Sequence, residues 1–385
     1  MRITHITLTG LYTDSFTYQD NLLPKFHQRL GNEVSIITSH YMYDEEGEIS
    51  YDQRTKYINE FDVNVIRLNI KKDKSILYRF KRFENLYETI EETNPDIIFI
   101  HGCQFIDLKI VIEFKKRNPK TILYLDNHAD FSNSAQSFLS KNILHKIIWK
   151  SNIKRSLPYV KKYYGVLPSR VDFLKKVYNV PEDKVDLLVL GADDDMIELV
   201  KKSGYKNKIR DKYNIKKTDF LIVTGGKIDS AKLQTTILMQ AVKDIDRDNV
   251  KLLIFGSVDQ SIKDMIFNLV DNDKIIYVGW VSPKESYQYF SVADLVVFPG
   301  RHSVFWEQVV GLGVPIVAKY WAGTTHVDVG GNCKFLYGDS VQEISDIIIE
   351  LVDSSELYGE MKKVALSNGI EQFSYSRIAK KSIEV

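Results

Sequence analysis

Short apolar runs alternate with amphipathic helical stretches along almost the whole of this 385-residue chain. This alternation restricts the fold most, because a strand–helix–strand repeat builds parallel sheets that helices cover on both faces. We therefore predict an α/β protein. The predicted strands are 2–8, 34–38, 63–68, 96–101, 121–125, 164–167 and 185–190 in the first half, and 220–224, 250–255, 275–278, 295–298, 315–318 and 334–337 in the second.

The repeat is interrupted at 191–195, which reads Gly-Ala-Asp-Asp-Asp and leads into a polar, lysine-rich stretch. We place a domain boundary there. Residues 1–192 are predicted to form one Rossmann-like domain and residues 193–370 a second, and a helix of about 371–385 is predicted to return to the first domain. Helices are also expected at 17–30, with Gly31 as the C-cap, and at 76–92.

Composition excludes several classes of function. The net charge of +1 gives no general case for nucleic-acid binding. Cys103 and Cys333 are the only cysteines, and neither has Cys or His neighbours at metal-ligand spacing. No window approaches the apolar length of a membrane span, and the amino terminus resembles a strand rather than a signal peptide. We expect a cytoplasmic protein with no metal; the oligomeric state is left open.

The stretch 293–315 is the first place where chemistry is expected. A buried strand, 295–298, is followed by Pro299-Gly300 and by Arg301, His302 and Ser303, and a helical pattern then runs to Gly313. Ser303 is the expected N-cap. Polar side chains therefore follow a strand at the amino end of a helix, where open α/β sheets bind ligands and anions are favoured. An ordinary capped strand–helix joint is the alternative.

A second candidate is the loop after the strand 220–224. It contains Gly225, Gly226 and Lys227, and Lys232 follows five residues later. Glycines allow a ligand to approach the backbone closely, and two lysines compensate negative charge, so the loop is suited to a diphosphate. It has neither the Walker order nor the three-glycine dinucleotide pattern. A solvated turn with two surface lysines is the alternative.

The chain resembles the family-4 glycosyltransferases over nearly its whole length. Several motifs appear in the family's order: Ser169-Arg-Val-Asp-Phe-Leu, Val180-Pro-Glu-Asp-Lys-Val, Leu190-Gly-Ala-Asp, Gly226-Lys227 with Lys232, Val278-Gly-Trp-Val and Ala293-Asp-Leu. The resemblance implies the GT-B fold, in which two Rossmann-like domains face each other across a cleft. It implies that Lys227 and Lys232 hold the diphosphate of a nucleotide-sugar donor and assist catalysis, with no cofactor and no metal. Lys227 replaces the family's arginine, which keeps the charge but loses the bidentate fork.

This sequence departs from the family's signature motif. Two glutamates eight positions apart fall at Gly300 and Gln308, with Glu307 beside the latter. Glu307 or Gln308 is expected to hold the donor ribose, and Arg301 and His302 are candidates for phosphate or sugar contacts. The loss of the first glutamate leaves its substitute open. By the same resemblance, the donor-binding residues are expected to be Gly10, Gly226, Lys227, Lys232, Val281, Arg301, His302, Ser303, Val304, Glu307 and Gln308.

In the first domain, Asp126-Asn-His128 follows the strand 121–125. His128 resembles the family residue near the anomeric carbon and the acceptor, and we expect it to be catalytic; a capping role is the alternative. His101 ends another strand, and His101, Asp126 and Asp130 are expected to contact the acceptor.

The activity that the resemblance implies is transfer of a sugar, with retention, from a nucleotide diphosphate donor to a hydroxyl of a glycan or lipid-linked acceptor. By family frequency, UDP is the expected nucleotide. Bacterial surface polysaccharide synthesis, such as that of capsule, is the expected context. A UDP-sugar epimerase of the same fold and a non-catalytic subunit of a partner transferase remain as alternatives. Leu139–Leu157 and the basic-aromatic segment 78–83 are candidates for contact with the inner face of the plasma membrane, although solvated charged faces are commoner.

Overall fold

The computed structural model describes residues 1–44, 48–71, 80–229 and 233–384. The chain divides into two compact units, Met1–Val189 with Ile378–Val385, and Leu190–Arg377. The sequence placed this boundary after residue 192 and began the returning C-terminal segment at about 371. Because Gly191 to Asp195 is a polar break in the pattern, the sequence locates the change of unit only to within a few residues.

A sheet of eight strands forms the centre of the first unit, in the order β10-β9-β8-β7-β1-β2-β6-β5. Every pair is parallel except β5 with β6. A separate antiparallel pair, β3 with β4, accompanies it. The strands are β1 Arg2–Thr7, β2 Glu33–Ser39, β3 Tyr41–Tyr43, β4 Ile49–Tyr51, β5 Lys56–Ile58, β6 Asn64–Leu68, β7 Ile97–Ile100, β8 Ile122–Asn127, β9 Lys162–Gly165 and β10 Val185–Leu187.

Helices cover this sheet, and buried aliphatic side chains from both layers form its core. The helices are α1 Gln19–Arg29, α2 Leu86–Thr93, α3 Leu108–Arg117, α4 Lys150–Ser156 and α5 Pro168–Lys176, with a π-helix at Ser140–Trp149 and a 3₁₀ turn at Glu182–Lys184. Gly31 follows α1 with a φ of 80°, a conformation that suits glycine at the end of a helix.

The second unit contains a fully parallel sheet of six strands in the order β13-β12-β11-β14-β15-β16. Its strands are β11 Phe220–Gly225, β12 Val250–Phe255, β13 Ile275–Gly279, β14 Leu295–Phe298, β15 Ile316–Lys319 and β16 Cys333–Leu336. Its helices are α6 Asp194–Lys202, α7 Tyr205–Lys212, α8 Gln234–Asp244, α9 Lys263–Phe267, α10 Pro283–Ser291, α11 Phe305–Gly311, α12 Val341–Asp353, α13 Ser355–Val364 and α14 Ile370–Gln372, with 3₁₀ turns at Gln260–Ile262 and Thr325–Val327 and a π-helix at Ala365–Gly369. The last helix, α15 Tyr375–Ser382, lies mostly in the first unit, which takes up the chain again at Ile378.

Three details differ from the sequence prediction. The short strands β3, β4 and β5 were not predicted, because three-residue strands with exposed and half-buried side chains carry no periodic signal. The helix predicted at 76–92 begins only at Leu86, after Asn85 in a left-handed conformation (φ 52°); residues 72–79 lie outside the described part. Ser303 was predicted as the N-cap of the helix that begins at Phe305; Val304 takes the N-cap position, and Ser303 Oγ accepts from the Phe305 amide at 3.3 Å.

In the described part of the chain, no helix combines the length and the apolar character needed to cross a bilayer.

Candidate functional site

A pocket in the second unit lies at the carboxyl ends of β11 and β14, which are neighbours in the sheet. Strand order reverses between these two strands, since β11 leads to β12 on one side and β14 leads to β15 on the other. Ligands of open α/β sheets bind at such a point. The lining residues are Thr224, Gly225, Lys227, Ile228, Thr235, Phe298, Pro299, Gly300, Arg301 and Ser303.

Two cations from different loops line this second-unit pocket. Lys227 follows β11, and its ammonium is 3.9 Å from Asp229, with two thirds of the side chain exposed. Arg301 follows β14 and is exposed, and its guanidinium makes no ion pair or hydrogen bond with any described residue. Because one cation is unpaired and the other is only loosely paired, the pocket presents positive charge to an anionic ligand.

Glycine is required where the loop after β11 passes the loop after β12. Gly256 has a φ of 124°, and a Cβ there would overlap the carbonyl oxygen of Gly226. Gly226 itself has a φ of 118°, and its amide donates to the Phe255 carbonyl at 3.1 Å. This close backbone contact fixes the loop that carries Lys227. The predicted partner Lys232 lies outside the described residues.

The loop after β14 leads into a cluster of His302, Glu307 and His326. Nε2 of His302 lies 2.8 Å from Oε1 of Glu307, and Nε2 of His326 lies 2.9 Å from the same oxygen. Glu307 is fully buried. Burial alone raises the pKa of Glu307, but the two imidazoles outweigh it and hold that pKa well below its usual range. The carboxylate therefore orders both rings and the loop between β14 and α11.

The three side chains offer ligand atoms within 4.8 Å of one another, close enough to share a metal ion. Their N–O separations are nevertheless those of charge-assisted hydrogen bonds, whereas two ligands on one tetrahedral zinc stand roughly 3.3 Å apart. Oε2 of Glu307 and Nδ1 of His326 are buried and have no hydrogen-bond partner among the described residues. We therefore describe this cluster as a buried carboxylate that is hydrogen-bonded by two imidazoles.

The structure does not bring every predicted donor residue to the pocket. Lys227, Arg301 and Ser303 line it. Glu307 is enclosed by the two histidines, and the amide of Gln308 donates to Ser286 Oγ at 2.9 Å in the core. Both carboxylate oxygens of Glu307 are buried, whereas the side-chain oxygen of Gln308 makes no hydrogen bond with a described residue, and a ribose contact by Glu307 or Gln308 stays a prediction. Beyond these, Gly226, Val281, His302 and Val304 belong to the surrounding loops rather than to the pocket lining.

In the first unit, polar residues gather at the carboxyl ends of β1, β7 and β8, and β1 and β7 are adjacent strands. Thr9 follows β1 and donates from Oγ1 to the His101 carbonyl at 2.7 Å. Gly102 has a φ of 90°, and a Cβ there would overlap the Thr9 side chain. Gly10, the predicted phosphate-approach residue, has open space around its Cα and is exposed. These contacts hold the first loop against the end of β7.

Asp126 connects two of the predicted histidines. His101 Nδ1 lies 3.0 Å from Oδ2 of Asp126, and His128 Nε2 lies 3.2 Å from Oδ1. The Gly102 amide also donates to Oδ1 at 2.6 Å. The Asp126 side chain is fully buried, whereas that of His128 is 42% exposed. Burial raises the pKa of Asp126, but His128 and His101 together hold it well below its usual range. Of these three side chains, only that of His128 is substantially exposed.

Asp130 has a structural role in this loop. Its Oδ1 accepts from the amide and hydroxyl of Ser132, and its Oδ2 accepts from Ser169 Oγ at 3.1 Å. Its side chain is 7% exposed, with Arg170 3.5 Å away. Both oxygens are therefore occupied, so the structure places Asp130 in loop stabilisation rather than at an acceptor surface.

The sequence did not single out His5, His27 or His326. His326 comes from the 3₁₀ turn after β15, and His5 and His27 lie inside β1 and α1. A histidine within an apolar strand, as in Ile-Thr-His-Ile, indicates a buried polar cluster, because a buried imidazole needs a partner at each nitrogen.

The protein has the GT-B fold, as comparison with solved structures shows. A glycosyltransferase from Rickettsia africae matches with a TM-score of 0.70 at 15% identity, covering 99% of this chain and 97% of that one. HepE from Anabaena, solved in complex with UDP, matches with a TM-score of 0.64 at 14% identity, covering 99% and 98%.

Sequence comparison supports the same class. The family model "Glycosyl transferases group 1" matches residues 205–367. An uncharacterised glycosyltransferase of Methanocaldococcus jannaschii is 22% identical over 217 residues, covering 54% of this chain and 55% of that protein. An uncharacterised 41.2 kDa protein from the cps region of Klebsiella pneumoniae is 25% identical over 194 residues, covering 49% and 50%. The chain thus spans about half the length of these relatives, and the matches support sugar transfer as the class of activity.

Proposed function

We propose that this protein transfers a sugar from a nucleotide diphosphate donor to a hydroxyl of an acceptor, and that the second unit binds the donor diphosphate. The observation that carries the proposal is the convergence of Lys227 and Arg301 on one pocket at the ends of neighbouring strands. Charge-assisted hydrogen bonds from these cations, with the Ser303 hydroxyl, suit a diphosphate. Lys232 is expected to add a further positive charge.

The pocket also explains how the donor is activated. As the bond between the anomeric carbon and the phosphate oxygen breaks, negative charge builds on the diphosphate and positive charge on the sugar. Fixed cations at the pocket stabilise the leaving group more as its charge grows, which lowers the barrier. The backbone contact between Gly226 and Gly256 holds the loop that carries Lys227 in place.

A binding screen followed by a turnover assay tests this proposal. Thermal shift across UDP, GDP and ADP and their sugars should find one nucleotide whose binding raises the melting temperature by mass action. Lys227→Ala with Arg301→Ala should abolish that shift, whereas Lys217→Ala, at the opposite end of β11, should retain it. Release of the free nucleotide only when an acceptor is present separates transfer from epimerisation. A full shift in the double variant would overturn the pocket assignment.

Finer features of the proposal rest on resemblance. A UDP-linked donor is supported by the UDP complex of the Anabaena structure, and a role in surface polysaccharide by the cps region of the Klebsiella relative. Retention of anomeric configuration and independence of metals follow from the motif resemblance alone. Analysis of the product's anomeric proton by NMR, and turnover in the presence of a chelator, test these two points.

We further propose that the segment 138–157 rests on an anionic membrane surface. Phe138, Leu139, Ile143 and Ile147 are 77%, 66%, 45% and 61% exposed. Lys141, Lys146 and Lys154 are exposed on the same segment and Lys150 is half-buried, a combination typical of interfacial helices. Trp149, which the sequence placed on this face, is instead buried and stacks on Phe80. A membrane position would suit a lipid-linked acceptor.

A further inference from the structure

Three exposed aromatic side chains lie at the carboxyl ends of β15 and β16 in the second unit. Tyr320 and Trp321 directly follow β15, and Tyr337 directly follows β16. Their exposed fractions are 41%, 42% and 70%. The rings of Tyr320 and Tyr337 are stacked, with centroids 5.0 Å apart and an angle of 28° between their planes. We call these three residues the aromatic strip.

The aromatic strip adjoins the pocket that contains Lys227 and Arg301. Nε1 of Trp321 donates to the Gly300 carbonyl at 3.4 Å, and Gly300 lines the pocket. β15 pairs with β14, and β16 pairs with β15. Because neighbouring strands are about 4.8 Å apart, the end of β16 is about 10 Å from that of β14. Trp321 therefore lies beside the pocket, and Tyr337 lies farther along the same edge of the sheet.

Hydrogen bonds fix the backbone that carries the aromatic strip. The Tyr320 amide donates to the last carbonyl of β16 at 2.8 Å. The Tyr337 amide donates to Oε1 of Glu343 on α12 at 2.7 Å. Nζ of Lys319 donates to the Tyr337 carbonyl at 3.2 Å and to Oδ1 of Asp339 at 2.8 Å. Exposed rings on a fixed backbone lose little freedom when a ligand binds, so the strip is preorganised.

The chemistry of the aromatic strip suits a pyranose ring. One face of a pyranose presents C–H groups, which are attracted to the negative face of an aromatic ring. The phenol hydroxyls of Tyr320 and Tyr337 and the half-exposed carboxylate of Asp339 offer hydrogen bonds to sugar hydroxyls. Among the described residues that line the pocket, none carries a carboxylate. A sugar attached to a diphosphate in the pocket therefore meets aromatic surface first.

We propose that the aromatic strip is a subsite for a pyranose ring of the saccharide substrates, and that Trp321 is its contact nearest to the diphosphate. This inference rests on the proposed function. The pyranose belongs either to the donor, attached to the diphosphate, or to the acceptor glycan. Both sources share one chemistry, and the experiments separate them. Exposed aromatic side chains also serve protein–protein contacts, but the link from Trp321 to the pocket loop favours a saccharide.

The first test observes Trp321 directly and needs no turnover. The chain has four tryptophans, so full-length protein that contains 5-fluorotryptophan gives four fluorine NMR signals, and Trp321→Phe identifies that of Trp321. The probes are the nucleoside diphosphate found by the binding screen and its glucose, galactose and N-acetylglucosamine conjugates. A conjugate should shift the Trp321 signal more than the diphosphate alone if the donor sugar binds the strip. Cellotetraose or chitotetraose, added with the diphosphate, should shift it if the acceptor binds there. Trp149, buried in the first unit, is the internal reference.

The second test is calorimetric titration with the same probes. For a donor sugar on the strip, Trp321→Ala should weaken binding of the nucleotide sugar about fivefold and leave the affinity for the diphosphate unchanged. For an acceptor on the strip, the same variant should weaken the tetrasaccharide about fivefold instead. Trp321→Phe should retain most of the affinity, and Tyr337→Ala should act in the same direction as Trp321→Ala. Phe267→Ala is the control, because Phe267 on α9 is also 42% exposed but belongs neither to the strip nor to the pocket lining.

The outcomes separate this inference from the proposed function. A Trp321 signal that no conjugate shifts beyond the diphosphate, and that neither tetrasaccharide shifts, overturns the subsite. Unchanged saccharide affinity in both Trp321→Ala and Tyr337→Ala also overturns it. So does a wild-type oligomer that Trp321→Ala dissociates in sedimentation experiments, since the strip is then a contact between copies of the chain. In all three cases, diphosphate binding in the pocket leaves the proposed function intact. Absence of binding of every nucleotide by the wild type overturns the proposed function itself.

Discussion

Oε1 of Glu307 lies 2.8 Å from Nε2 of His302, and this contact joins the pocket loop after β14 to the first turn of α11. The same oxygen is 2.9 Å from Nε2 of His326. The fully buried carboxylate of Glu307 thus stabilises the loop between β14 and α11, next to the pocket residues Arg301 and Ser303. The hydrogen bonds of this carboxylate to the two imidazoles fix the shape of the loop.

Glu307→Gln should destabilise the protein by about 3 kcal/mol at neutral pH, because it leaves two buried imidazoles without their carboxylate. The pKa of Glu307 is held below its usual 4.5, so its stabilising contribution is complete above pH 4.5 and is lost as the pH falls through the lower, folded-state pKa. Urea unfolding should therefore show a smaller difference in the free energy of unfolding between the wild type and the variant at pH 4 than at pH 7.5. Glu350→Gln, at an ion pair with Lys334 that is half exposed, is the control and should cost at most about 1 kcal/mol.

Lys227→Ala should weaken nucleotide diphosphate binding about tenfold to a hundredfold, because it removes one charge-assisted contact. Lys232→Ala should reduce turnover far more than it affects folding. Calorimetric titration with UDP measures the first effect, and kcat beside the melting temperature measures the second. Lys217→Ala serves as the matched control. Unchanged binding by Lys227→Ala together with an unchanged rate of Lys232→Ala would contradict a diphosphate site at this loop.

Stability should fall as the pH is lowered from 7 to 5 because of the buried histidines. The pKa of His27 is lowered from 6.5 to about 4, so in this window the unfolded chain binds a proton that the folded protein does not. Linkage to His27 then lowers the free energy of unfolding by about 2 kcal/mol at pH 5 relative to pH 7. The lowered pKa of His5 acts in the same direction. Urea unfolding at a series of pH values measures the loss. In His27→Asn the slope should be shallower, and an identical slope would show that His27 titrates normally.

Gly102→Ala should destabilise the first unit by about 1–3 kcal/mol and displace the loop of Thr9 and Gly10. The position combines a φ of 90° with a Cβ that would overlap Thr9, so strain and steric clash add. Gly359→Ala is the control: it lies inside α13 with open space at the Cβ position and should stabilise by up to about 1 kcal/mol. Thermal unfolding should give a lower melting temperature for Gly102→Ala than for the wild type, and an equal or higher one for Gly359→Ala.

Binding to vesicles of anionic lipid should be lost when Lys141, Lys146, Lys150 and Lys154 are changed to Glu, because both attraction to the surface and seating of the neighbouring apolar side chains depend on these charges. Flotation with liposomes measures it. A matched variant with Glu at Lys201, Lys212, Lys217 and Lys243, all exposed in the second unit, changes the net charge equally and should still float. Equal flotation of both variants would remove the membrane proposal.

The fold was largely predictable because both large sheets are parallel, except for the pairing of β5 with β6. Buried strands such as β12 and β14 are continuous apolar runs flanked by polar turns, and the predicted limits of 250–255 and 295–298 coincide with the observed ones. The edge strands β3, β4 and β5 were missed since they are three residues long and bury little. Periodicity alone does not fix the strand order that brings Lys227 beside Arg301.

Sequence patterns located the candidate residues at strand ends, but they did not indicate contacts between segments that are distant in sequence. Lys227, Arg301, His101 and His128 follow strands, where ligands of parallel sheets gather. Contacts between distant segments gave no signal: Glu307 looked like a ligand because it lies near the signature, and its burial by His326 depends on a turn 19 residues away. Lys232 could not be assessed from the structure.

The last residues of unit 1 lie far from the rest of that unit in sequence. His27 Nε2 contacts Ser382, and the hydroxyl of Tyr124 donates to the Glu384 carbonyl at 3.0 Å, so residues near 380 complete a core begun by β1. During synthesis, residues 1–189 leave the ribosome first, and the buried His27 lacks its contact with Ser382 until residues 190–385 have been translated. A nascent chain stalled before residue 378 should accordingly be a substrate for chaperones even though its eight-stranded sheet has already emerged.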